Sequence, residues 1–79
     1  MLKKLKYGVI GAGHLGNYHA MQINNISNAR LIGIYDIVED RSLQLSKEHN
    51  TQQYLSLEKL IEDCDAVSIS TPATNHFEV

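Results

Sequence analysis

An α/β fold built on a parallel sheet is what this sequence predicts, and three observations predict it. Apolar runs of strand length recur at residues 5–10, 29–35 and 66–70. Segments with helical spacing of apolar residues separate them. Turn signals stand at the changes of period: the glycines after Ile10, then Ser27-Asn28, Asp36 and Thr71-Pro72. Strands that alternate with helices within 79 residues imply a parallel sheet with helices packed on its faces.

Each element follows in order. Residues 5–10 form a first strand that stops at Gly11. From His14 onward Leu15, Tyr18, Met21, Gln22 and Ile26 recur at intervals of three and four, which predicts a helix burying that face and ending near Asn24-Asn25. Residues 29–35 make a second strand, bounded by Asp36. Residues 40–48 read as a second helix with Leu43 and Leu45 as its buried side chains, and residues 53–55 as a short third strand. Ser56 is placed to cap a third helix, although Lys59 stands where a capping-box glutamate would. Leu57, Leu60 and Ile61 give that helix its apolar face. Asp65 leads into a fourth strand at 66–70, which Thr71-Pro72 terminates.

Composition bounds the answer. Hydrophobic residues at 43% and charged residues at 20% describe a globular chain rather than a disordered one. At this length there is one domain, and only about 60% of the unfolded surface is buried, so the stability margin is thin. A net charge of -2 offers no basic patch for nucleic acid or an anionic membrane. The single cysteine, Cys64, excludes an internal disulfide and fits a reducing compartment. The lysine-rich start lacks the long apolar core of a secretory signal, and no apolar run is long enough to span a bilayer. A cytoplasmic location is the expectation.

The chemistry concentrates in GVIGAGHLGNYHA, where Gly11, Gly13 and Gly16 form G-x-G-x-x-G. Alone the pattern is weak. Here it follows a strand and opens a helix, the context that gives each glycine a task. Gly11 permits the turn, Gly13 lets a pyrophosphate approach the backbone, and Gly16 lets the helix pack closely. Free N–H groups around His14 and Leu15 would meet the phosphate charge. Asp36 closes the second strand, where a carboxylate can accept from both ribose hydroxyls of an adenosine and repel a 2′-phosphate. That favours NAD over NADP. Arg41 is a possible partner for a 2′-phosphate, but it stands further on, inside the second helix. Taken alone, Asp36 reads equally well as a cap before Val38-Glu39. Joined to the glycines and both strands, it reads as part of a dinucleotide site.

With the fourth strand DAVSIS running into TPATNH, and with His19 just past the last glycine, the chain resembles the N-terminal domain of the glucose–fructose oxidoreductase and inositol 2-dehydrogenase (Gfo/Idh/MocA) family. The resemblance implies a partial doubly wound Rossmann fold with strand order 3-2-1-4 and a cofactor at the strands' carboxyl ends. It implies that Thr71, Pro72 and His76 border the cofactor, His76 on the nicotinamide-side ribose. Ala73 departs from the asparagine usual in that loop. It further implies an NAD(P)-dependent oxidoreductase moving hydride between nicotinamide and a sugar, cyclitol or related hydroxy compound. The family's catalytic lysine belongs to a Glu-Lys-Pro element after a fifth strand, and none of Lys3, Lys4, Lys6, Lys47 and Lys59 stands there. Residues 1–79 are therefore expected to be a truncated cofactor half-site, inactive by itself, without the second domain.

The remaining candidates have plain readings. His14 offers backbone rather than ring, His19 packs or caps, and His49 faces solvent; for His76 simple exposure stands beside the family role. No His, Cys or Asp grouping has metal-ligand spacing, so no metal is expected. Cys64 is a small filler rather than a nucleophile. The tyrosines form no stacking stripe; Tyr35 packs on the sheet, and Ile37 is a candidate contact for adenine. A fourth strand left at the sheet edge would invite a homodimer through that strand. The competing classes are a non-catalytic NAD(H)- or nucleotide-sensing module, a methyltransferase, which would not need this glycine pattern, and a fragment that binds nothing.

Overall fold

A computed structural model describes residues 4–70. The elements are β1 (Leu5–Ile10), α1 (His14–Asn24), β2 (Ala29–Tyr35), α2 (Glu39–Glu48), β3 (Gln52–Gln53), α3 (Leu57–Asp63) and β4 (Ala66–Ile69). The four strands make one parallel sheet, as the alternation of elements predicts, in the order β3-β2-β1-β4 that the family resemblance implies. Thr71, Pro72 and His76 lie outside the described residues.

The sheet separates two layers. On one face Val9, Leu31 and Ile34 pack with Ala20 and Ile23 of α1 and Leu45 of α2, forming the main core. On the other, Leu60 of α3 lies against Gly8 and Gly33, which pair across β1 and β2. Neither glycine has a side chain to hold α3 off the sheet. A Cβ on Gly8 would meet Cys64 Sγ at 2.7 Å, and one on Gly33 would run into the ring of Tyr54.

β2 carries one residue more than β1 in their shared ladder. Tyr7 pairs with Leu31, but the next residue, Gly8, pairs with Gly33. Ile32 is the additional residue of a bulge, which switches the strand's alternation. Ala29 and Leu31 face the main core before the bulge, and Ile34 does so after it. The carbonyl of Leu31 accepts from Thr51 Oγ1 at 2.9 Å.

Several expected faces differ from those found. Leu15, Tyr18, Met21 and Ile26 are exposed, and α1 buries Gly16, Ala20 and Ile23 instead. The apolar count followed the larger residues, whereas close approach to the sheet selects the smaller ones. In α2, Leu45 is buried but Leu43 is exposed, and the inward positions beside Leu45 belong to Ser42 and Ser46. In α3 only Leu60 is buried, Leu57 and Ile61 being exposed. β3 lies one residue earlier than expected and excludes Leu55, while β4 stops before Ser70. Ser56 does cap α3, accepting from Lys59 N at 3.2 Å. Beyond the end of α2 and its cap His49 comes Asn50, whose φ of 54° an asparagine tolerates better than most residues.

Tyr54 is the sequence's unannounced core residue. Its hydroxyl donates to Asp63 Oδ2 at 2.7 Å. That bond, with burial adding to it, pushes the tyrosine pKa from 10.0 up to about 12. The same bond lowers the Asp63 carboxyl below its ordinary value, with Lys59 assisting. A raised tyrosine pKa contributes stability that is complete below pH 10 and is lost as pH rises through about 12. The depressed Asp63 pKa contributes stability above the ordinary carboxylate range, lost as pH falls through the depressed value. Tyr54→Phe should therefore lose less stability than the parent chain between pH 10 and 12 in urea titrations. Parallel pH profiles for the two proteins would show that the bond does not form.

Candidate functional site

β1 ends at Ile10, and the chain turns through Gly11, Ala12 and Gly13 into α1. Gly11 has a φ of 100°, a left-handed conformation that glycine adopts without strain. Its N–H donates to the Tyr35 carbonyl at 2.8 Å, fixing the turn to the end of β2. Gly16 is buried directly behind it. A Cβ there would collide with the Gly11 carbonyl and come within 3.1 Å of Ser70 Oγ. The fold itself demands both glycines.

Gly13 is different. Its backbone, at φ -85° and ψ -157°, is extended and open to any residue. A Cβ added to it would meet nothing within 4 Å among the described residues. No packing or strain among the described residues explains a glycine there, but a group approaching from outside would. The α1 N-terminus beside it has no side-chain cap and no acid in its first turn. The first N–H groups of a helix lack internal partners and carry its positive end, so the turn suits an anion. α3, by contrast, has Ser56 on its end.

Asp36 follows β2 and is only 9% exposed. Its Oδ2 accepts from Ala12 N at 2.6 Å, and its Oδ1 accepts from Val38 N at 2.7 Å. Asp36 thus caps the turn before α2 rather than the helix itself, whose N-cap is Val38, and that role coexists with a position against the glycine turn. Each carboxylate oxygen keeps a further lone pair for a hydroxyl donor. Ile37, the next residue, is 86% exposed.

A cleft of about 500 Å³ opens between the glycine turn and α2. Ala12, Gly13, His14 and Asn17 form one wall, and Arg41, Gln44 and Glu48 belong to the other. Arg41 is within α2 as expected, yet α2 presents it to the same cleft as Gly13 and His14. Another hollow, of about 380 Å³, is lined by Lys4, Asn25, Arg30 and Asn50, away from the glycine turn.

His49 corrects the expectation of a solvent-facing ring. It is half-buried, with Nε2 2.6 Å from Asn17 Oδ1, and it links the end of α2 to α1. His19 is half-buried with its ring edge-on to Tyr18, and His14 is exposed at the start of α1. Cys64 is half-buried as a filler, and burial pushes its thiol up to about 11, away from nucleophilic use. Sequence reasoning missed Ser70. Its Oγ lies 2.9 Å from the Gly11 carbonyl and 3.2 Å from that of Ile10, and its N–H donates to Ile10 O at 2.8 Å. Nothing in a lone serine at the end of a strand marks it for that task.

Residues 5–79 match the family model of an oxidoreductase family with an NAD-binding Rossmann fold. The chain is 39% identical over 75 residues to UDP-N-acetylglucosamine 3-dehydrogenase of Acidithiobacillus ferrooxidans, a match covering 95% of this chain and 23% of that protein. A crystal form of that enzyme superposes with a TM-score of 0.85 at 35% identity, over 98% of this chain and 25% of the other. Myo-inositol 2-dehydrogenase of Thermotoga maritima is 33% identical over 78 residues, covering 95% and 23% of the two chains. The structure of scyllo-inositol dehydrogenase from Lactobacillus casei with bound NAD(H) and scyllo-inositol gives a TM-score of 0.78 at 29% identity, over 94% and 23%. The chain thus spans about a quarter of the length of these relatives.

Proposed function

The chain belongs to the glucose–fructose oxidoreductase and inositol 2-dehydrogenase (Gfo/Idh/MocA) family, and from that membership we propose that its glycine turn and Asp36 hold the adenosine diphosphate half of NAD(H). The observation that carries the reading is Gly13, a glycine with open space, among the described residues, where its Cβ would be. The pyrophosphate would lie over Gly13 and the uncapped start of α1, against backbone N–H groups. Asp36 would accept from the adenosine ribose hydroxyls through its remaining lone pairs, with exposed Ile37 beside the adenine. A carboxylate in that place disfavours a 2′-phosphate, which supports NAD over NADP. Thr71, Pro72 and His76 are proposed to border the nicotinamide half on the family resemblance alone.

Bound nicotinamide would give or take the hydride, and a sugar, cyclitol or related hydroxy compound is the proposed substrate class of the protein in which the domain works. The dehydrogenases it matches act on sugars and inositols by name. No described residue is assigned a catalytic role. The described lysines stand near the start of β1, at the end of α2 and in the first turn of α3, and none belongs to the glycine turn or adjoins Asp36 in sequence. The chain by itself is accordingly proposed to bind cofactor without turning it over.

Isothermal titration of NAD+, NADH and NADPH into the 79-residue chain tests this directly. Binding of NAD(H) should exceed that of NADPH. Asp36→Ala should weaken NADH by at least about tenfold, since hydrogen bonds to a charged group contribute roughly 1.5–3 kcal/mol. Equal affinity in the variant would remove Asp36 from the site, and a folded chain that binds none of the three would refute the proposal.

A further inference from the structure

Ser70 and Asp36 grip the two ends of one peptide group. The carbonyl of Gly11 and the N–H of Ala12 belong to the same planar unit. Ser70 Oγ donates to that carbonyl at 2.9 Å, and the N–H donates to Asp36 Oδ2 at 2.6 Å. One anchor comes from the end of β4 and the other from the end of β2, on opposite sides of β1. We propose that Ser70 is a positioning residue for the dinucleotide site, acting through the Gly11–Ala12 peptide; the proposal rests on the cofactor reading above.

The need for two anchors follows from Gly11. Its φ of 100° sits in a region where glycine has little steric preference, so sterics alone hold the adjoining peptide plane weakly. The inward orientation of the Gly11 carbonyl is also what Gly16 accommodates, since a Cβ there would collide with it. A half-buried carbonyl turned against Gly16 loses stability without a donor, and Ser70 is the side chain that supplies one. If the hydroxyl is removed, rotating the peptide outward relieves the carbonyl. The same rotation takes the Ala12 N–H off Asp36 and turns a carbonyl oxygen toward that carboxylate. A negative dipole end there repels the Asp36 carboxylate and displaces it from the place proposed for the ribose hydroxyls. Ser70 would thus act on cofactor affinity without touching the cofactor.

The test uses the full chain labelled with 15N. In the parent protein the Ala12 amide should resonate far downfield and exchange slowly, as a short bond to a carboxylate requires. Ser70→Ala should move that resonance upfield, speed its exchange about tenfold and raise the NADH Kd roughly 5–30-fold, while amides of α3 stay unchanged. Ser70→Thr, which keeps the hydroxyl, should restore both readings toward the parent values. If Ser70→Ala does not fold, Ser70→Cys keeps the volume with a much weaker donor and should give the same changes. An unmoved Ala12 amide in the folded variant overturns the positioning role, as does parent-level NADH affinity once the amide has shifted. Should the parent chain bind no NADH, the dinucleotide reading falls, and the Ala12 amide alone decides whether Ser70 sets the peptide.

Discussion

Gly33→Ala is expected to lower the urea midpoint of the chain sharply. The added methyl would occupy the space of the Tyr54 ring, and Leu60 Cδ1 stands only 3.2 Å away. Neither neighbour can retreat easily. Tyr54 is buried with its hydroxyl held by Asp63, and Leu60 is fully buried. Overpacking of this kind costs about 1–3 kcal/mol or more, against a total stability of about 4–12 kcal/mol for a domain of this size. Circular dichroism with urea titration measures the loss. Tyr54→Val in the Gly33→Ala background should recover part of it, because the smaller side chain vacates the contested volume. A Gly33→Ala chain as stable as its parent would mean that α3 does not sit on the sheet as described.

Gly13→Ala is expected to do the opposite: keep the fold and lose the ligand. With no heavy atom of the described residues within 4 Å of the added Cβ and an ordinary extended backbone, the melting temperature should change by less than a few degrees. The methyl would stand where the pyrophosphate is proposed to touch the backbone. An NADH affinity reduced by about a hundredfold corresponds to losing roughly 2.7 kcal/mol, the scale of one displaced charge-assisted contact. Parallel thermal melts and calorimetric titrations separate the two effects. Undiminished binding would sever the glycine pattern from the site. Read with Gly33→Ala, the pair distinguishes a glycine kept for packing from one kept for a ligand.

The sequence made some of these distinctions legible and hid others. The types of the elements were open to reading, because period and turn chemistry are local properties of the chain, whereas the strand order came only from the family resemblance. Gly11, Gly16 and Asp36 were also readable, since their spacing is tied to a strand–turn–helix context. The buried faces of α1 and α2 were not. There the sheet is approached by Gly16, Ala20, Ser42 and Ser46, so a search for large apolar residues pointed at exposed ones. Tyr54 escaped notice because its place depends on the missing side chain of Gly33, a residue in another strand. Ser70 and His49 act through partners 59 and 32 positions away, and no local pattern encodes such pairs.

The single surplus residue in β2 gives the distance between the glycine motif and Asp36 a meaning beyond length. Side chains on a strand alternate like the two colours of a chequered ribbon, and an uninterrupted β2 would give position 36 the colour opposite to Leu31. The surplus at Ile32 moves the count by one, which brings Asp36 into step with Ile34 and Val9 and turns its carboxylate toward Ala12. The interval from Gly16 to Asp36 is therefore an arithmetic of odd and even as well as a tally. Two homologous chains could share every motif residue and still differ in whether the acid meets the turn, according to whether that one residue is present.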